Sequence, residues 1–214
     1  MSNYRRYHLP HHPVFVTIVT NNRRKIFASA ERVELLLVAM RRVKVQYPFR
    51  HYAHVILPDH LHWMFECDEA CNFSKIVGAV KRDVTWRLKE TFTESNGGKE
   101  LPPYDTMHGE PAGRHSHSSG CIHGEQVGRQ SFPDIRDGEF FPLWQKRFYD
   151  HLIRDETDFA RHLDYVHYNP VKHGFVDRAA DFAHSSFAGW MDRGVYSINW
   201  GVAEPERIKN MDLE

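Results

Sequence analysis

The sequence predicts an α+β fold: an antiparallel sheet with helices on one face, plus an extra C-terminal helix. Three observations carry that expectation. Residues 14–20, 51–57 and 60–66 are short apolar runs rich in β-branched and aromatic side chains. Two longer stretches between and after them repeat apolar residues at three- and four-residue spacing. The Pro58-Asp59 pair between the second and third runs is short enough to close an antiparallel hairpin.

Residues 1–12 are polar, aromatic and basic and read as an arm. Val14-Phe15-Val16-Thr17-Ile18-Val19-Thr20 reads as a buried first strand, followed by a loop at Asn21-Asn22-Arg23-Arg24-Lys25. Ser29 is placed to cap a helix that runs to about Tyr47. Val33, Leu36, Leu37, Met40 and Val43 form its apolar face, and Pro48 stops it. Strands over 51–57 and 60–66 follow. A second helix starts at Asn72 or Ser74 and lines Phe73, Ile76, Val77, Val80, Val84 and Leu88 along one side.

From Asn96 to Gly138 the chain carries eight of its 13 glycines and has no apolar period, so about 96–140 reads as a long Gly/His-rich insertion. Residues 141–153 read as a fourth strand. Asp155 then caps a last helix, which should end near Asn169 because Pro170 disfavours helical geometry in the residue before it. Strand, helix, strand, strand, helix, strand is the order of a ferredoxin-like split βαβ fold, here with a further helix added. The expected organisation is one domain over 1–200 and a C-terminal tail over 201–214, with residues 171–214 packing on the core.

Charge decides little about partners. Lys+Arg and Asp+Glu both number 28, so net charge neither proves nor excludes a nucleic acid. Arg5-Arg6, Arg23-Arg24-Lys25, Arg41-Arg42-Lys44 and Lys81-Arg82 nevertheless gather basic groups in the first 90 residues, the footprint a phosphate backbone needs. Cys67, Cys71 and Cys121 are an odd number without framework spacing, which favours free thiols and a reducing compartment. No apolar run approaches the roughly 18–20 residues of a membrane span, and the first residues lack a signal-peptide core. A cytoplasmic protein with no membrane partner is expected.

Two stretches carry the chemistry. In Leu57-Pro58-Asp59-His60-Leu61-His62-Trp63-Met64-Phe65, strand alternation points His60 and His62 to one face, their Cα atoms about 7 Å apart, where they can share a metal ion. With 16 histidines in the chain, an H-x-H spacing alone is a weak signal. His115-x-His117 and Cys121-x-His123 stand in the insertion without an apolar scaffold to hold them. In His162-Leu163-Asp164-Tyr165-Val166-His167-Tyr168-Asn169, Tyr165 and Asn169 lie four apart on one helical face, with His162 close to it. A helix laid across the open face of the sheet would bring a phenol and a carboxamide beside the strand histidines. A phenol next to a metal-bound phosphodiester is a candidate nucleophile. The plainer alternatives are a packing tyrosine and an asparagine that ends the helix.

Leu57-Pro58-Asp59-His60-Leu61-His62 resembles the HUH motif of single-tyrosine transposases. Tyr4-Arg5-Arg6-Tyr7, Trp144-Gln145-Lys146-Arg147-Phe148, Asp164-Tyr165-Val166-His167-Tyr168-Asn169-Pro170-Val171-Lys172-His173-Gly174 and Asp181-Phe182-Ala183-His184-Ser185-Ser186-Phe187 are similar to the REP-associated tyrosine transposases in particular. The resemblance covers about 1–95 and 140–200. It implies an endonuclease and strand transferase that acts on single-stranded DNA at palindromic repeat hairpins through a 5′-phosphotyrosine. The implied cofactor is Mg2+ or Mn2+, held by His60, His62 and Asn169. Tyr165 is the implied nucleophile. Its rival, Tyr168, sits about 100° round the helix from Asn169, against about 40° for Tyr165. Tyr4, Arg5, Arg6 and Tyr7 would bind DNA, the arginines at phosphates or base edges and the tyrosines by stacking. The 96–140 segment is longer than the resemblance leads one to expect.

The rival function is a non-catalytic single-stranded nucleic-acid-binding module, since ferredoxin-like sheets also serve as stacking platforms. A metal hydrolase acting on small substrates ranks lower, because no H-E-x-x-H or equivalent is present. Either a monomer or a homodimer is compatible with the sequence.

Overall fold

The computed structural model describes residues 9, 11–68, 72–95 and 142–213. The Tyr4–Tyr7 arm and the 96–140 insertion lie outside the described residues. The chain divides into two units, one formed by Met1–Val84 and Pro142–Glu214, the other by Thr85–Phe141. The first unit holds a sheet of four strands, β1 (Pro13–Val19), β2 (Phe49–Ile56), β3 (His60–Cys67) and β4 (Tyr149–Leu152). Their order is β2-β3-β1-β4, and every pairing is antiparallel. Helix α1 (Ala30–Gln46) joins β1 to β2, and α2 (Phe73–Ser95) follows β3. This is the split βαβ order that the hydrophobic pattern predicts.

Register decides which side chains share a face. On β1, Val14, Val16 and Ile18 stand opposite Phe65, Trp63 and Leu61. All six are buried, on the side where α1 buries Val33, Leu36 and Met40 and α2 buries Ile76, Val77 and Val80. On the other face, Phe15 and Thr17 stand opposite Met64 and His62. That face is covered by α3 (Glu156–Lys172), which packs Leu163, Tyr165 and Val166 against Phe15, Val55 and Met64. Capping is mixed. Asn72 Oδ1 accepts the Lys75 N–H at 2.8 Å, and Asp155 Oδ1 accepts that of Asp158 at 2.8 Å. Ser29 occupies the N-cap of α1 with extended backbone but makes no side-chain bond to it.

Two expectations are corrected. The fourth strand is only Tyr149–Leu152, with Trp144 making a single isolated bridge to Thr20. Pro142 has no N–H to add to a ladder, and Trp144 turns inward, onto Phe27 at 5.5 Å and with Nε1 donating to Lys81 O. The last helix does not stop at Asn169: it runs through Pro170 to Lys172. Pro170 forfeits the one bond its missing N–H would make to the preceding turn. Beyond it the helix ends in a Schellman motif. Gly174 N–H donates to Val171 O at 2.9 Å and Phe175 N–H to Pro170 O at 2.9 Å, with Gly174 at φ 69°. A left-handed residue at this point is what glycine supplies without strain.

Downstream of α3, the chain forms a 3-10 turn at Ala179–Asp181, helix α4 (Phe187–Met191) and a turn at Glu206–Ile208. Phe187, Tyr196 and Ile208 are buried in the same core as Tyr165. A polar chain ties this segment down. Ser186 N–H donates to His54 O at 2.9 Å, Ser186 Oγ bonds His167 Nε2 at 2.9 Å, and Tyr196 OH donates to Asp164 Oδ1 at 2.9 Å. No helix among the described residues is long and apolar enough to cross a membrane.

Burial makes this polar chain pH-sensitive. It pushes His167 down to about 3, with His54 and His51 adding to the effect, and pushes His54 down to about 3, with His51 adding to it. In the unfolded chain these imidazoles take a proton near their ordinary value of about 6.5. Stability is therefore full above about pH 6.5 and falls as pH drops from there toward 3. His167 alone removes about 1.4 kcal/mol per pH unit over that window. Urea unfolding at pH 7, 6 and 5 should show a midpoint that decreases stepwise, and a His167→Gln variant should show a shallower decrease.

Candidate active site

The hairpin turn that leads into β3 is clamped from the end of β1. Leu57 N–H donates to His60 O at 2.8 Å, Thr20 N–H donates to Asp59 O at 2.9 Å, and Phe27 N–H donates to Pro58 O at 2.8 Å; the one Thr20 hydroxyl proton is shared between Arg24 O at 2.7 Å and Asp59 O at 2.9 Å. Rigid backbone thus carries His60 and His62 to one face, their ring centroids 4.8 Å apart and both side chains buried.

The outer nitrogen of each ring is spoken for. His60 Nδ1 lies 2.7 Å from Asp59 Oδ1, and a carboxylate can only accept. His62 Nδ1 lies 2.9 Å from Thr17 Oγ1, whose own proton goes to Leu213 O at 2.7 Å. Both rings therefore carry the proton on Nδ1, an assignment made from these bonds, and both turn the lone pair of Nε2 toward the site. Burial would raise the Asp59 carboxyl, but the bonds from His60 and from Arg23 at 3.3 Å outweigh it and hold Asp59 below the usual carboxylate range. Burial, reinforced by the neighbouring His60, His173 and Lys172, holds His62 well below its ordinary value. His62 is a neutral imidazole at pH 7.

Helix α3 supplies the other half. The Tyr165 ring sits edge-on to His62 at 5.2 Å and to Phe15 at 6.0 Å, and only 1% of the residue is exposed. Its Oη accepts from Leu213 N–H at 3.2 Å and from Lys172 Nζ at 3.4 Å. Asn169, one turn on and fully buried, faces His62. Both of its amide atoms, and His62 Nε2, are buried without a hydrogen bond of normal geometry. His173 follows at the next four-residue step, its ring 5.5 Å from that of His60.

Of the residues singled out from the sequence, His60, His62, Tyr165 and Asn169 converge on this face. Tyr4, Arg5, Arg6 and Tyr7 are outside the described residues. Asn169 is not a helix-ending cap, since α3 continues three residues beyond it. Tyr168 turns toward the C-terminal segment, beside Gly201. His162 belongs elsewhere: its ring stacks on His151 at 4.4 Å and its Nδ1 lies 3.1 Å from Asp158 Oδ1. Donor atoms of His151, Asp158 and His162 lie within 4.8 Å of one another. The two rings are only 15° from parallel, so they lie face to face and their in-plane lone pairs do not converge on a common point.

Sequence reasoning missed Asp59, Thr17, Lys172 and Leu213. Asp59 and Thr17 leave a signal: a carboxylate next to the first histidine, and a hydroxyl at an inward position of an otherwise apolar strand. Leu213 contributes only backbone atoms and leaves none. The donor set suits a divalent cation. Two neutral imidazoles with oriented outer nitrogens stand beside a buried carboxamide with no other partner, and outer bonds of this kind fix histidine ligands in metal sites.

Residues 7–100 match the family described as Transposase IS200 like. A Haemophilus influenzae protein named for the REP-associated tyrosine transposases is 29% identical over 209 residues, covering 98% of each chain. An Escherichia coli K12 REP-associated tyrosine transposase is 29% identical over 201 residues, covering 94% of this chain and 91% of its own. The solved structure of a REP-associated tyrosine transposase bound to a REP hairpin is 27% identical to this chain and superposes with a TM-score of 0.64, covering 97% of this chain and 96% of the other.

The Leu213 backbone brackets the site, accepting from Thr17 and donating to Tyr165. Deleting residues 209–214 should therefore uncover the phenol. Nitration of Tyr165 by tetranitromethane, followed by mass spectrometry, should proceed faster in the shortened chain. An unchanged rate would show that this segment does not shield it.

Proposed function

We propose that the chain is a REP-associated tyrosine transposase, and that it cuts and rejoins single-stranded DNA at palindromic hairpins through a covalent link to Tyr165. The observation that supports this most is the meeting of Tyr165 and Asn169, from a helix near the C-terminus, with His60 and His62, from a strand about 100 residues earlier. The structural relative solved with a REP hairpin supplies the class of DNA.

His60, His62 and Asn169 would hold a divalent cation, Mg2+ or Mn2+. Imidazole is not the usual partner of Mg2+, so modest affinity is expected, with water and phosphate completing the ligands. When bound, the cation would neutralise charge on the scissile phosphate and orient it. Asp59 and Thr17 hold the histidines in the ligating tautomer. The buried packing of Phe15 and His62 fixes the Tyr165 ring and keeps water from competing with it. In the reaction, the Tyr165 oxygen bonds to phosphorus and the P–O3′ bond breaks. This leaves a 5′-phosphotyrosine and a free 3′-hydroxyl. One phosphoester replaces another, so a second 3′-hydroxyl can reverse the step without ATP.

Tyr165→Phe should abolish the covalent protein–DNA species on a denaturing gel while leaving hairpin affinity within about threefold, since the phenol oxygen is consumed only in the chemical step. Hairpin binding with no metal-dependent nicking by the wild-type protein would instead favour a binding module. Asp59→Asn should weaken Mn2+ binding roughly 10- to 100-fold, as expected for loss of an outer partner of a metal-ligating histidine. Isothermal titration with Mn2+ in the absence of DNA checks it.

A further inference from the structure

The family reading gives work to His60, His62, Tyr165 and Asn169 but none to the cation that reaches the phenol. We propose that Lys172 is a second catalytic group, whose ammonium takes up negative charge gathering on the Tyr165 oxygen and on the phosphate it attacks. The proposal rests on Tyr165 being the nucleophile.

Three observations carry it. Lys172 follows Tyr165 by seven residues, two helical turns, and so shares its face of α3. Its Nζ lies 3.4 Å from Tyr165 Oη and 5.1 Å from the ring centroid. Its side chain is one-third exposed (33%), so the ammonium lies between the buried phenol and solvent. An anion already sits there: Asp212 Oδ1 is 3.6 Å from the same Nζ, and that carboxylate is itself 81% exposed. A carboxylate and a phosphate present similar oxygens to an ammonium, so Asp212 marks where a phosphate oxygen can be received. A lysine in the last turn of a helix is also favoured by the helix dipole.

The step balances without a further reagent. The Tyr165 O–H proton leaves to water, the Tyr165 O–P bond forms, the P–O3′ bond breaks, and the departing O3′ takes a proton from solvent. Lys172 keeps its protons throughout. Its ammonium acts as a preplaced donor that is worth most where charge develops in a buried site.

The test is single-turnover adduct formation on an oligonucleotide carrying a palindromic hairpin from the protein's own genome, with Mn2+. Three proteins are compared: wild type, Lys172→Met, and Lys172→Cys alkylated with 2-bromoethylamine to rebuild an ammonium at nearly the same reach. Wild type given the same alkylation controls for the native cysteines. Lys172→Met should form the adduct roughly 100-fold more slowly, the scale of losing one preplaced donor. Its Mn2+ affinity without DNA should not fall. The alkylated Lys172→Cys protein should recover most of the rate, which a mere packing role would not give. A wild-type rate in Lys172→Met overturns the proposal. So does a slow rate that the rebuilt ammonium fails to restore, or a parallel loss of Mn2+ affinity. Peptide mapping of the wild-type adduct is the separate control: an adduct on a residue other than Tyr165 overturns the nucleophile assignment itself.

Discussion

The edge-on packing of Tyr165 against His62 and Phe15 is the contact on which the rest of the structure depends. It belongs to the core, since Tyr165 is among the largest fully buried side chains. It also sets the distance between the phenol and the strand histidines. An aromatic pair of this geometry contributes about 0.5–1.5 kcal/mol beyond the area it buries. Packing and chemistry therefore cannot be tuned separately here. A change that loosens α3 on the sheet moves the phenol away from the imidazoles.

Polar groups around that contact decide what the imidazoles can do. A buried neutral histidine can exist as either tautomer, and only one leaves Nε2 free to ligate. Here Asp59 makes the choice for His60 and Thr17 for His62. Both partners are held by backbone: Asp59 by the clamped turn, Thr17 by its place in the central strand. The cost of burying these rings is visible in His62, whose environment opposes a positive charge from several sides. That environment keeps the ring neutral at pH 7, the state in which Nε2 has a lone pair to offer.

Much of this was legible in the sequence, for identifiable reasons. The strands and first two helices follow from periodicity, and the antiparallel hairpin follows from Pro58-Asp59. Strand alternation puts His60 and His62 on one face, and helical spacing puts Tyr165 and Asn169 on another, because both are local rules. The failures have local causes too. Pro170 reads as a helix end because propensity is blind to the burial and the Schellman closure that carry the helix onward. The short β4 reflects a tryptophan that finds a better place indoors than in a ladder. Nothing in the residue identities points to Leu213, because it reaches the site with its peptide group. Lys172 lies in the quoted run but has no meaning until the phenol beside it is seen.

The strand order has a consequence for synthesis. The central strand β1 pairs on one side with β3 and on the other with β4, so the first strand made waits for the last. Bringing those ends together costs loop-closure entropy that grows only with the logarithm of the intervening length, about 0.6 kcal/mol per doubling. The connection between α2 and β4 can thus lengthen with little thermodynamic effect. The timing is another matter, because non-local pairings form late. A nascent chain bearing His60 and His62 but not yet α3 has no phenol to offer a phosphate. On the proposed reading, a ribosome-bound chain that stops before α3 carries the two histidines without their nucleophile.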